Sequence, residues 1–482
     1  MTVVRAAAIT AVLLLSSGTA AAQPLAQDPR VSDALELARV WLEAQRAYEQ
    51  VPGVSAAIVS DQDVLWKGGF GAADLASGRP MTADTLCSIC SISKLFTSIA
   101  VLQQRDAGRL RLDDPVKKHL PWFSIEPGGK HGADITIEGL LTHAAGLPRE
   151  ADYPYWAPPF TFPSHDKIVE GLSRQRALYP PETYFQYSNL GLTLAGEVVA
   201  ATSGTPFNDY LSASILKPLG LTSTTTMPEN ERGKRLATGY SALTRLGRRE
   251  PQPFFTANGI APAAGLASDV GDLARFASWQ FRLLESGGTE VLKASTLREM
   301  HRVHFTDPDF ETTWGLGFGV FRSGGKTFVG HGGECPGYRS QLLLMPAQKI
   351  AVTFMANALG LPARTWALRL YEIVAPSILA ARKEPGKGKA ADPELSRYIG
   401  AYSGAPWGGE TAIVTWEGSL ALLELPTMDP MKDLEKLKKT AEGVFRVERK
   451  DETLGETVVF RTGPDGRATS FERHNVPSPR VR

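Results

Sequence analysis

Cysteine is scarce in this sequence, and neither sign of charge is in excess. Only three cysteines occur among 482 residues, which is too few and too odd a number for a fold held together mainly by disulfides. The 52 Lys and Arg residues oppose 51 Asp and Glu residues, for a formal net charge of +1. This balance excludes a global basic field for nucleic acid or an anionic membrane surface. We therefore expect function to reside in a local site, with no nucleic-acid partner.

Long apolar runs are also missing, except at the N-terminus. There Arg5 precedes an apolar stretch and the small-residue ending Ala20-Ala21-Ala22. This is the pattern of a cleavable secretory signal peptide, and the run is too short to span a bilayer. A buried terminal helix is the alternative. We predict a signal peptide over residues 1–22, a periplasmic or secreted mature protein and no membrane span.

The remaining sequence divides by its periodicity. Strand-like alternation near residues 51–73 and 317–355 flanks a helical middle, which predicts one antiparallel sheet built from distant segments beside a helical lobe, an α/β (α+β) fold. We assign this domain to residues 23–381. A basic, Gly- and Pro-containing stretch at 382–392 predicts a linker. Period-two alternation beyond it predicts a small all-β domain at 393–482.

Ser91 opens a segment of helical periodicity directly after the first strand pattern. Lys94 follows three residues later, and positions i and i+3 lie on the same face of a helix. A lysine buried at a helix start can lose its proton and act as a base toward a serine hydroxyl. The same Ser-x-x-Lys spacing occurs three more times in the chain and also fits an ordinary helix cap. Position alone distinguishes this pair as candidate nucleophile and base.

Two further short motifs carry polar groups suited to catalysis. Tyr187 and Asn189 form the one Tyr-x-Asn of the chain; a tyrosine near a lysine can relay a proton, and an amide can bind a carbonyl. His331 and Gly333 form the one His-x-Gly, in which glycine permits close approach and histidine is polar without a fixed charge. The alternatives are a surface turn for the first motif and a structural histidine for the second.

The order Ser-x-x-Lys, Tyr-Ser-Asn, His-Gly-Gly resembles the serine β-lactamase and penicillin-binding-protein superfamily, in particular its class C-like branch. The resemblance covers residues 28–380 and implies a class C β-lactamase-like antiparallel sheet flanked by helices. The C-terminal domain resembles the small lipocalin-like β-barrels appended to such hydrolases. Further segments that look like landmarks of the branch are Pro52-Gly53-Val54, Leu140-Leu141-Thr142-His143, Gly146-Leu147-Pro148, Gly315-Leu316-Gly317 and Gly337-Tyr338-Arg339-Ser340.

The resemblance also implies catalytic roles. Ser91 would be the nucleophile that forms an acyl-enzyme. Lys94 and Tyr187 would be the coupled bases that deprotonate Ser91 and protonate the leaving group. Neither a cofactor nor a metal ion is required by such a mechanism.

The substrate-binding roles follow in the same way. Asn189 would hold the acyl side chain of the substrate, and the strand that carries His331 and Gly333 would form the far wall of the site. The backbone N–H groups of Ser91 and Glu334 would form the oxyanion hole, where each donor contributes about 3–4 kcal/mol to transition-state stabilisation.

One departure from the family pattern concerns the substrate. Penicillin-hydrolysing relatives usually carry Lys-Thr-Gly on the strand where this chain has His331-Gly332-Gly333, and that lysine attracts the carboxylate of the antibiotic. The resemblance therefore points to esterases and to peptidases that act on D-amino-acid or short peptide substrates.

The three cysteines leave several possibilities open. Cys87, Cys90 and Cys335 together with His331 formally supply a structural zinc set. A disulfide of Cys335 with either Cys87 or Cys90 is an alternative, and small buried thiols are another. An aromatic and Pro-rich segment at 153–163 either lines the acyl pocket or packs on the helical lobe.

These observations predict an exported serine hydrolase that acts through a Ser91 acyl-enzyme on an ester or a small peptide or amide. A β-lactamase or DD-carboxypeptidase that acts on cell-wall-like amides is the rival enzyme. A non-catalytic binding or filament-forming scaffold is the rival from another class, and the joint presence of Ser91, Lys94 and Tyr187 argues against it. The sequence leaves the oligomeric state open.

Overall fold

The computed structural model describes residues 24–129, 133–153 and 155–482. The predicted signal peptide, residues 1–22, lies outside these ranges. Within them, none of the helices combines the length and the apolar character that a transmembrane span requires.

Strands and helices alternate along the first 383 residues. The strands of this part are β1 (Gly53–Ser60), β2 (Asp63–Asp74), β3 (Arg79–Pro80), β4 (Cys87–Ser88), β5 (Ala267–Ser268), β6 (Thr289–Glu290), β7 (Leu292–Lys293), β8 (Phe305–Thr306), β9 (Thr313–Trp314), β10 (Gly319–Ser323), β11 (Lys326–Cys335), β12 (Tyr338–Met345) and β13 (Ile350–Ala356). The α-helices are α1 (Pro29–Tyr48), α2 (Ser93–Asp106), α3 (Val116–His119), α4 (Ile137–Thr142), α5 (His165–Leu172), α6 (Asn189–Ser203), α7 (Phe207–Leu211), α8 (Ala261–Ala264), α9 (Val270–Ser286), α10 (Ala294–Met300) and α11 (Ala363–Lys383).

Among the described residues, nine strands form one antiparallel sheet in the order β3-β2-β1-β13-β12-β11-β10-β9-β8. At the centre of this sheet, β1 from the beginning of the domain pairs with β13 from its end, with partners from Val54↔Ala356 to Ser60↔Ile350. Every residue of β1 and β13 is buried, since helices cover both faces of the sheet. The predicted sheet assembled from distant segments is confirmed.

The side chains of β13 show how the two faces divide. Val352 and Phe354 pack into an apolar cluster with α1 and α11, whereas Ala351 and Met355 belong to a second cluster with α2, α6 and α9. Alternate residues of a strand point to opposite faces. The second cluster is the core of the helical lobe, and the catalytic motifs lie on this side of the sheet.

The C-terminal part is a β-barrel, as predicted. Its elements are β14 (Gly400–Ser403), β15 (Glu410–Trp416), β16 (Ser419–Leu425), α12 (Pro430–Asp433), β17 (Glu435–Ala441), β18 (Val444–Glu448), β19 (Leu454–Thr462), β20 (Ala468–Arg473) and β21 (Val476–Pro479). Consecutive strands pair in sequence order. The Tyr402↔Arg480 bridge joins the first strand to the end of the last, so the sheet closes and leaves little free edge.

The barrel packs against the outer helices of the large sheet. Trp41 Nε1 of α1 donates a hydrogen bond to the Thr427 carbonyl at 2.9 Å, and Thr415 Oγ1 donates to Asp33 Oδ1 at 2.7 Å. Apolar residues of β15 and β16 share one cluster with α1 and α11. The barrel therefore covers the helical face opposite the catalytic motifs. The predicted domain boundaries stay a prediction; α11 itself runs through Lys383 and so includes the first two residues of the predicted linker.

Candidate active site

Ser91 lies on a tight turn between a strand and a helix. The short pair of β4 with β5 leads into a 3₁₀ turn, Cys90–Ile92, and α2 begins at Ser93. The helix thus starts two residues later than predicted. Cys90 adopts φ of 51°, in the left-handed region that non-glycine residues rarely occupy. This kink places the Ser91 hydroxyl at the N-terminal end of α2.

Lys94 is fully buried on α2 and contacts three oxygen atoms. Its Nζ lies 3.0 Å from Ser91 Oγ, 2.7 Å from Asn189 Oδ1 and 2.8 Å from the Ala263 carbonyl oxygen. The amide and backbone oxygens can only accept hydrogen bonds. A neutral amine has two N–H donors, which these oxygens satisfy, and its lone pair then points to the Ser91 hydroxyl.

The protonation state agrees with this geometry. Burial holds the pKa of Lys94 well below its ordinary value, against the opposing field of Glu150 and with a smaller lowering effect of Arg149. Removal from water disfavours the ammonium form. The lowered pKa favours the neutral amine, which is the form that can accept the Ser91 proton.

Tyr187 completes the group around Ser91. Burial raises the pKa of the Tyr187 phenol above its ordinary value, and the neighbouring Ser91 side chain opposes this with a smaller lowering effect. Lys94 Nζ lies 5.0 Å and the Arg149 guanidinium carbon 5.1 Å from the centroid of the ring. The charged guanidinium of Arg149 is within the range of a cation–π contact. Tyr187 is thus a neutral phenol placed to donate or relay a proton beside Ser91.

Asn189 lies behind the cleft and connects Lys94 to an acidic residue. Its Nδ2 donates to Glu150 Oε1 at 2.5 Å, and Glu150 Oε2 accepts a hydrogen bond from Tyr155 at 2.6 Å. Asn189 is 2% exposed, and both ends of its amide are already paired. The Nδ2 group has a second N–H donor, and the predicted contact of Asn189 with the acyl side chain stays a prediction. No motif in the sequence marks Glu150, and its one signal is its position just after Gly146-Leu147-Pro148.

The far wall of the site is the second half of β11. β10 pairs with this strand only up to Gly330, whereas β12 pairs with it through Cys335. The segment 331–335 therefore has a strand partner on one side only. Its other side lies alongside the Cys90–Ile92 turn. A Cβ atom at Gly333 would lie 2.2 Å from the Ile89 carbonyl oxygen, so glycine is required for this close approach.

His331 is a neutral side chain in this wall. It is buried, and desolvation together with the nearby Lys94 lowers its pKa to about 3. Nδ1 lies 2.5 Å from the Gly332 carbonyl oxygen, so Nδ1 carries the proton in the neutral tautomer. His331 therefore supplies no positive charge where penicillin-hydrolysing relatives have a lysine.

These walls enclose a cleft of about 430 Å³. Arg149, Arg339 and Arg364 lie on its rim. Arg339 forms an ion pair with Glu334, whereas Arg364 has no carboxylate partner among the residues that the structure describes and stacks 4.7 Å from the Phe321 ring centroid. The other lining residues are Ser91, Phe185, Tyr187, Trp314, Gly319, Gly330, His331, Gly332, Gly333, Ser340, Gln341 and Ala363.

Comparison with known proteins identifies the fold family. A family model described as Beta-lactamase matches residues 39–374, well over half of the chain. The chain belongs to the β-lactamase family. The β-lactamase fold and its penicillin-binding-protein resemblance, predicted from the sequence motifs, are confirmed.

Relatives of this β-lactamase-family protein include hydrolases and penicillin-binding proteins. Unguisins hydrolase ungD' of Aspergillus campestris is 28% identical over 68% of this chain and 62% of its own length. Penicillin-binding protein 4 of Amycolatopsis lactamdurans is 28% identical over 65% of this chain and 83% of its own length. The octameric penicillin-binding protein homologue from Pyrococcus abyssi has a TM-score of 0.62 at 24% identity, covering 92% of this chain and 99% of its own. The match to the first relative spans less than two thirds of that protein.

The structure shows how the three cysteines of this family member are paired. Cys90 and Cys335 form a disulfide, and Cys87 is a buried free thiol. Burial raises the pKa of Cys87 to about 12, which makes its reactive thiolate form rare. Because the disulfide uses two of the three thiols, the formal Cys and His set is not available as zinc ligands.

The aromatic segment at 153–163 packs into the helical lobe. Tyr155 and Phe162 are buried, and Phe162 contacts Phe255 with a ring separation of 5.0 Å. None of its described residues lines the cleft. The structure thus favours the packing alternative, and the aromatic walls of the cleft come instead from Phe185, Tyr187 and Trp314.

His143 forms a second neutral imidazole behind these aromatic walls. It packs 4.3 Å from Tyr187 and 5.1 Å from Trp314 between ring centroids. Burial, with smaller effects of Lys94, His331 and Arg149, holds its pKa well below the ordinary value. Its Nδ1 accepts the Ser188 backbone N–H at 3.1 Å, which positions the loop carrying Tyr187.

Proposed function

We propose that the protein is an exported serine hydrolase that forms an acyl-enzyme at Ser91 from an ester or a small peptide or amide. The contact of buried Lys94 with Ser91 Oγ at 3.0 Å is the observation that carries this proposal. A lysine with a lowered pKa beside a serine hydroxyl is an activated nucleophile pair.

The proposed reaction uses the described groups in sequence. Neutral Lys94 takes the Ser91 proton as Oγ attacks the carbonyl carbon, and the negative charge that develops on the carbonyl oxygen is bound by the backbone N–H groups of Ser91 and Glu334. Lys94 returns this proton, through the phenol of Tyr187, to the leaving alcohol or amine. Water then attacks the acyl-enzyme, one of its protons passes through the same groups to Ser91 Oγ, and the carboxylic acid leaves.

Substrate preference rests on the wall of β11. Because His331 is neutral, the strand does not supply the cation that the family uses for the carboxylate of a β-lactam. We therefore propose an ester or small peptide substrate ahead of a β-lactam. The relatedness to a penicillin-binding protein and to a protein named as a hydrolase supports hydrolytic chemistry.

Export is supported by the disulfide. Disulfides form and persist in oxidising compartments and are rare in the reducing cytosol. Together with the signal-peptide pattern of residues 1–22, the Cys90–Cys335 bond favours a periplasmic or secreted location. Fusion of residues 1–30 to a reporter active only after export tests this part of the proposal.

The enzymatic part is tested with purified protein that lacks residues 1–22. Turnover of a short-chain p-nitrophenyl ester, a chromogenic cephalosporin and a D-alanyl p-nitroanilide is measured for wild type and for Ser91→Ala. We expect ester hydrolysis that disappears in the variant. Dominant cephalosporin or anilide turnover would favour the β-lactamase or DD-carboxypeptidase alternative. Turnover of the same rate in Ser91→Ala would overturn the nucleophile.

A further inference from the structure

A disulfide joins the two chain segments that carry the proposed oxyanion donors. Cys90 directly precedes Ser91, and Cys335 directly follows Glu334. The bond brings the two Cα atoms to 5.7 Å across a sequence separation of 245. We propose that the Cys90–Cys335 disulfide positions the oxyanion hole, by fixing the separation and direction of the Ser91 and Glu334 backbone N–H groups. This inference rests on the proposed acyl-enzyme function.

The end of β11 pairs with another strand on one side only. Residues 331–335 pair with β12 on one side, but β10 ends its pairing at Gly330. Directly after Cys335 the chain turns through Pro336 and Gly337 into β12. A strand end that has one neighbour and leads into a turn is free to move sideways, and here sideways movement would carry the Glu334 N–H away from Ser91.

Among the described residues, one side-chain hydrogen bond links the two regions, and it lies beside the disulfide. Ser340 Oγ donates a hydrogen bond to the Ile89 carbonyl at 3.0 Å. Gly333 approaches the same carbonyl so closely that a Cβ atom would lie 2.2 Å from it. The hydrogen bond is made by the neighbouring strand and not by β11 itself. The disulfide is therefore the link that acts directly on the residue next to Glu334.

At the other end of the disulfide, Cys90 has an unfavourable backbone conformation. Cys90 has φ of 51°, and such conformations of non-glycine residues are unfavourable and persist only when the surroundings impose them. The dihedral angles of Cys90 set the direction of the following peptide N–H, which belongs to Ser91. The disulfide thus constrains the second donor as well as the first.

Burial makes this link permanent in the folded protein. Cys90 is fully buried and Cys335 is 3% exposed, so a thiol reductant has no direct route to either sulfur. The neighbouring thiol of Cys87 has a pKa raised to about 12 and does not supply a thiolate for exchange. The structure therefore assigns a fixed positioning role, and not a redox switch.

The test uses the double variant Cys90→Ala with Cys335→Ala. We expect kcat for the p-nitrophenyl ester to fall about 10- to 100-fold with KM within about twofold of wild type, because a misplaced donor weakens transition-state binding; complete loss of a donor costs about 10²–10³ in kcat. The inhibition constant of phenylboronic acid, whose tetrahedral Ser91 adduct places an oxygen in the hole, should rise by a similar factor. All rates are taken at a temperature at which circular dichroism shows both proteins to be folded.

Cys87→Ala is the matched control, since it removes a buried cysteine three residues from Cys90 that forms no disulfide. It should keep kcat and the boronate inhibition constant within about twofold. If the double alanine variant does not fold, Cys90→Ala with Cys335→Val refills part of the lost volume and is measured in its place.

Two outcomes are distinguished. A folded double variant with a lowered melting temperature but unchanged kcat and boronate affinity would overturn the inference, because the bond would then stabilise the fold alone. Wild-type protein without any Ser91-dependent turnover would overturn the proposed function, and the inference with it.

Discussion

The cleft and the C-terminal barrel differ in the kinds of residue that they bury. The cleft buries Lys94, His143 and His331 and holds Cys90 in a left-handed conformation. The interior of the barrel is filled by aliphatic side chains and aromatic rings. The buried Tyr402 hydroxyl donates a hydrogen bond to the Tyr398 carbonyl at 2.6 Å. Buried titratable groups without full pairing cost stability. The contrast indicates that the cleft is arranged for chemistry and the barrel for stability.

The largest expected effect comes from Lys94→Met, which removes the buried amine and keeps the length of the side chain. Ester turnover should fall about 10²–10⁴-fold, because the base that takes the Ser91 proton is lost. The free energy of unfolding should rise by about 1–3 kcal/mol, since an amine no longer leaves water on folding. Steady-state kinetics and thermal denaturation measure the two changes.

Lys436→Met in the barrel is the matched control. Lys436 forms an exposed ion pair with Glu417, and such pairs contribute about 0–1 kcal/mol. Turnover and stability should both stay near wild type. A lower free energy of unfolding in Lys94→Met would contradict this comparison of the cleft with the barrel, because the lysine would then stabilise the core.

Phe460→Ala tests the other side of the comparison. The Phe460 ring lies 4.6 Å from Tyr398 and 5.5 Å from Phe445 between centroids. Truncation of a buried phenylalanine costs about 3–5 kcal/mol, so the melting temperature should fall. Ester turnover per folded molecule should not change, because the barrel lies behind α1 and α11. A parallel loss of kcat in folded protein would show that the barrel contributes to the cleft.

Glu150→Gln should give a smaller effect and a shift in pH dependence. The negative charge of Glu150 raises the pKa of Lys94 against the lowering by burial. Lys94 must be neutral to act, so activity falls as pH drops below its pKa. Removing the charge lowers that pKa further, and the acid limb of the kcat/KM profile should move to lower pH.

The rate at the plateau should also fall, by about tenfold. Glutamine can still accept the Asn189 hydrogen bond, but its amide nitrogen cannot accept the hydroxyl of Tyr155. Tyr155→Phe separates the two effects, because it removes this hydroxyl and leaves the charge of Glu150. We expect no shift of the acid limb in Tyr155→Phe; an equal shift in both variants would refute the electrostatic explanation.

The smallest expected effect concerns Arg364 at the rim of the cleft. Its guanidinium has no carboxylate partner among the described residues and can attract an anionic group of the substrate. Arg364→Ala should raise KM about two- to fivefold for a p-nitrophenyl ester of a dicarboxylic acid and leave KM for the neutral acetate ester unchanged. Because the attraction is electrostatic, the difference should shrink at high salt. Equal changes for both esters would point to lost packing on Phe321 instead.

Much of this architecture could be predicted from periodicity and motif order. The alternation in β13 and the helical stripe after Ser91 correspond to elements of the structure, and Lys94 lies against Ser91 as the spacing indicated. The β-barrel was recognisable because its strands follow one another and pair with their neighbours in sequence.

The remaining features depend on contacts between distant residues. Asn189 contacts Glu150 across 39 residues, and no local pattern shows that the amide is used inside the protein. The choice of Cys90 over Cys87 as the partner of Cys335 depends on the kink at Cys90 and on the register of β11. The depth of burial that makes His331 neutral follows from tertiary packing and is not encoded in the His-Gly-Gly motif.

The pairing of β1 with β13 has a consequence for the order of folding. Val54 meets its partner Ala356 only after roughly 300 further residues have been synthesised, and closing so long a loop slows folding. The first strands of the nascent chain therefore lack the central neighbour of their sheet for most of translation. Such a delay is compatible with the export proposed above, because a translocation channel requires an unfolded polypeptide.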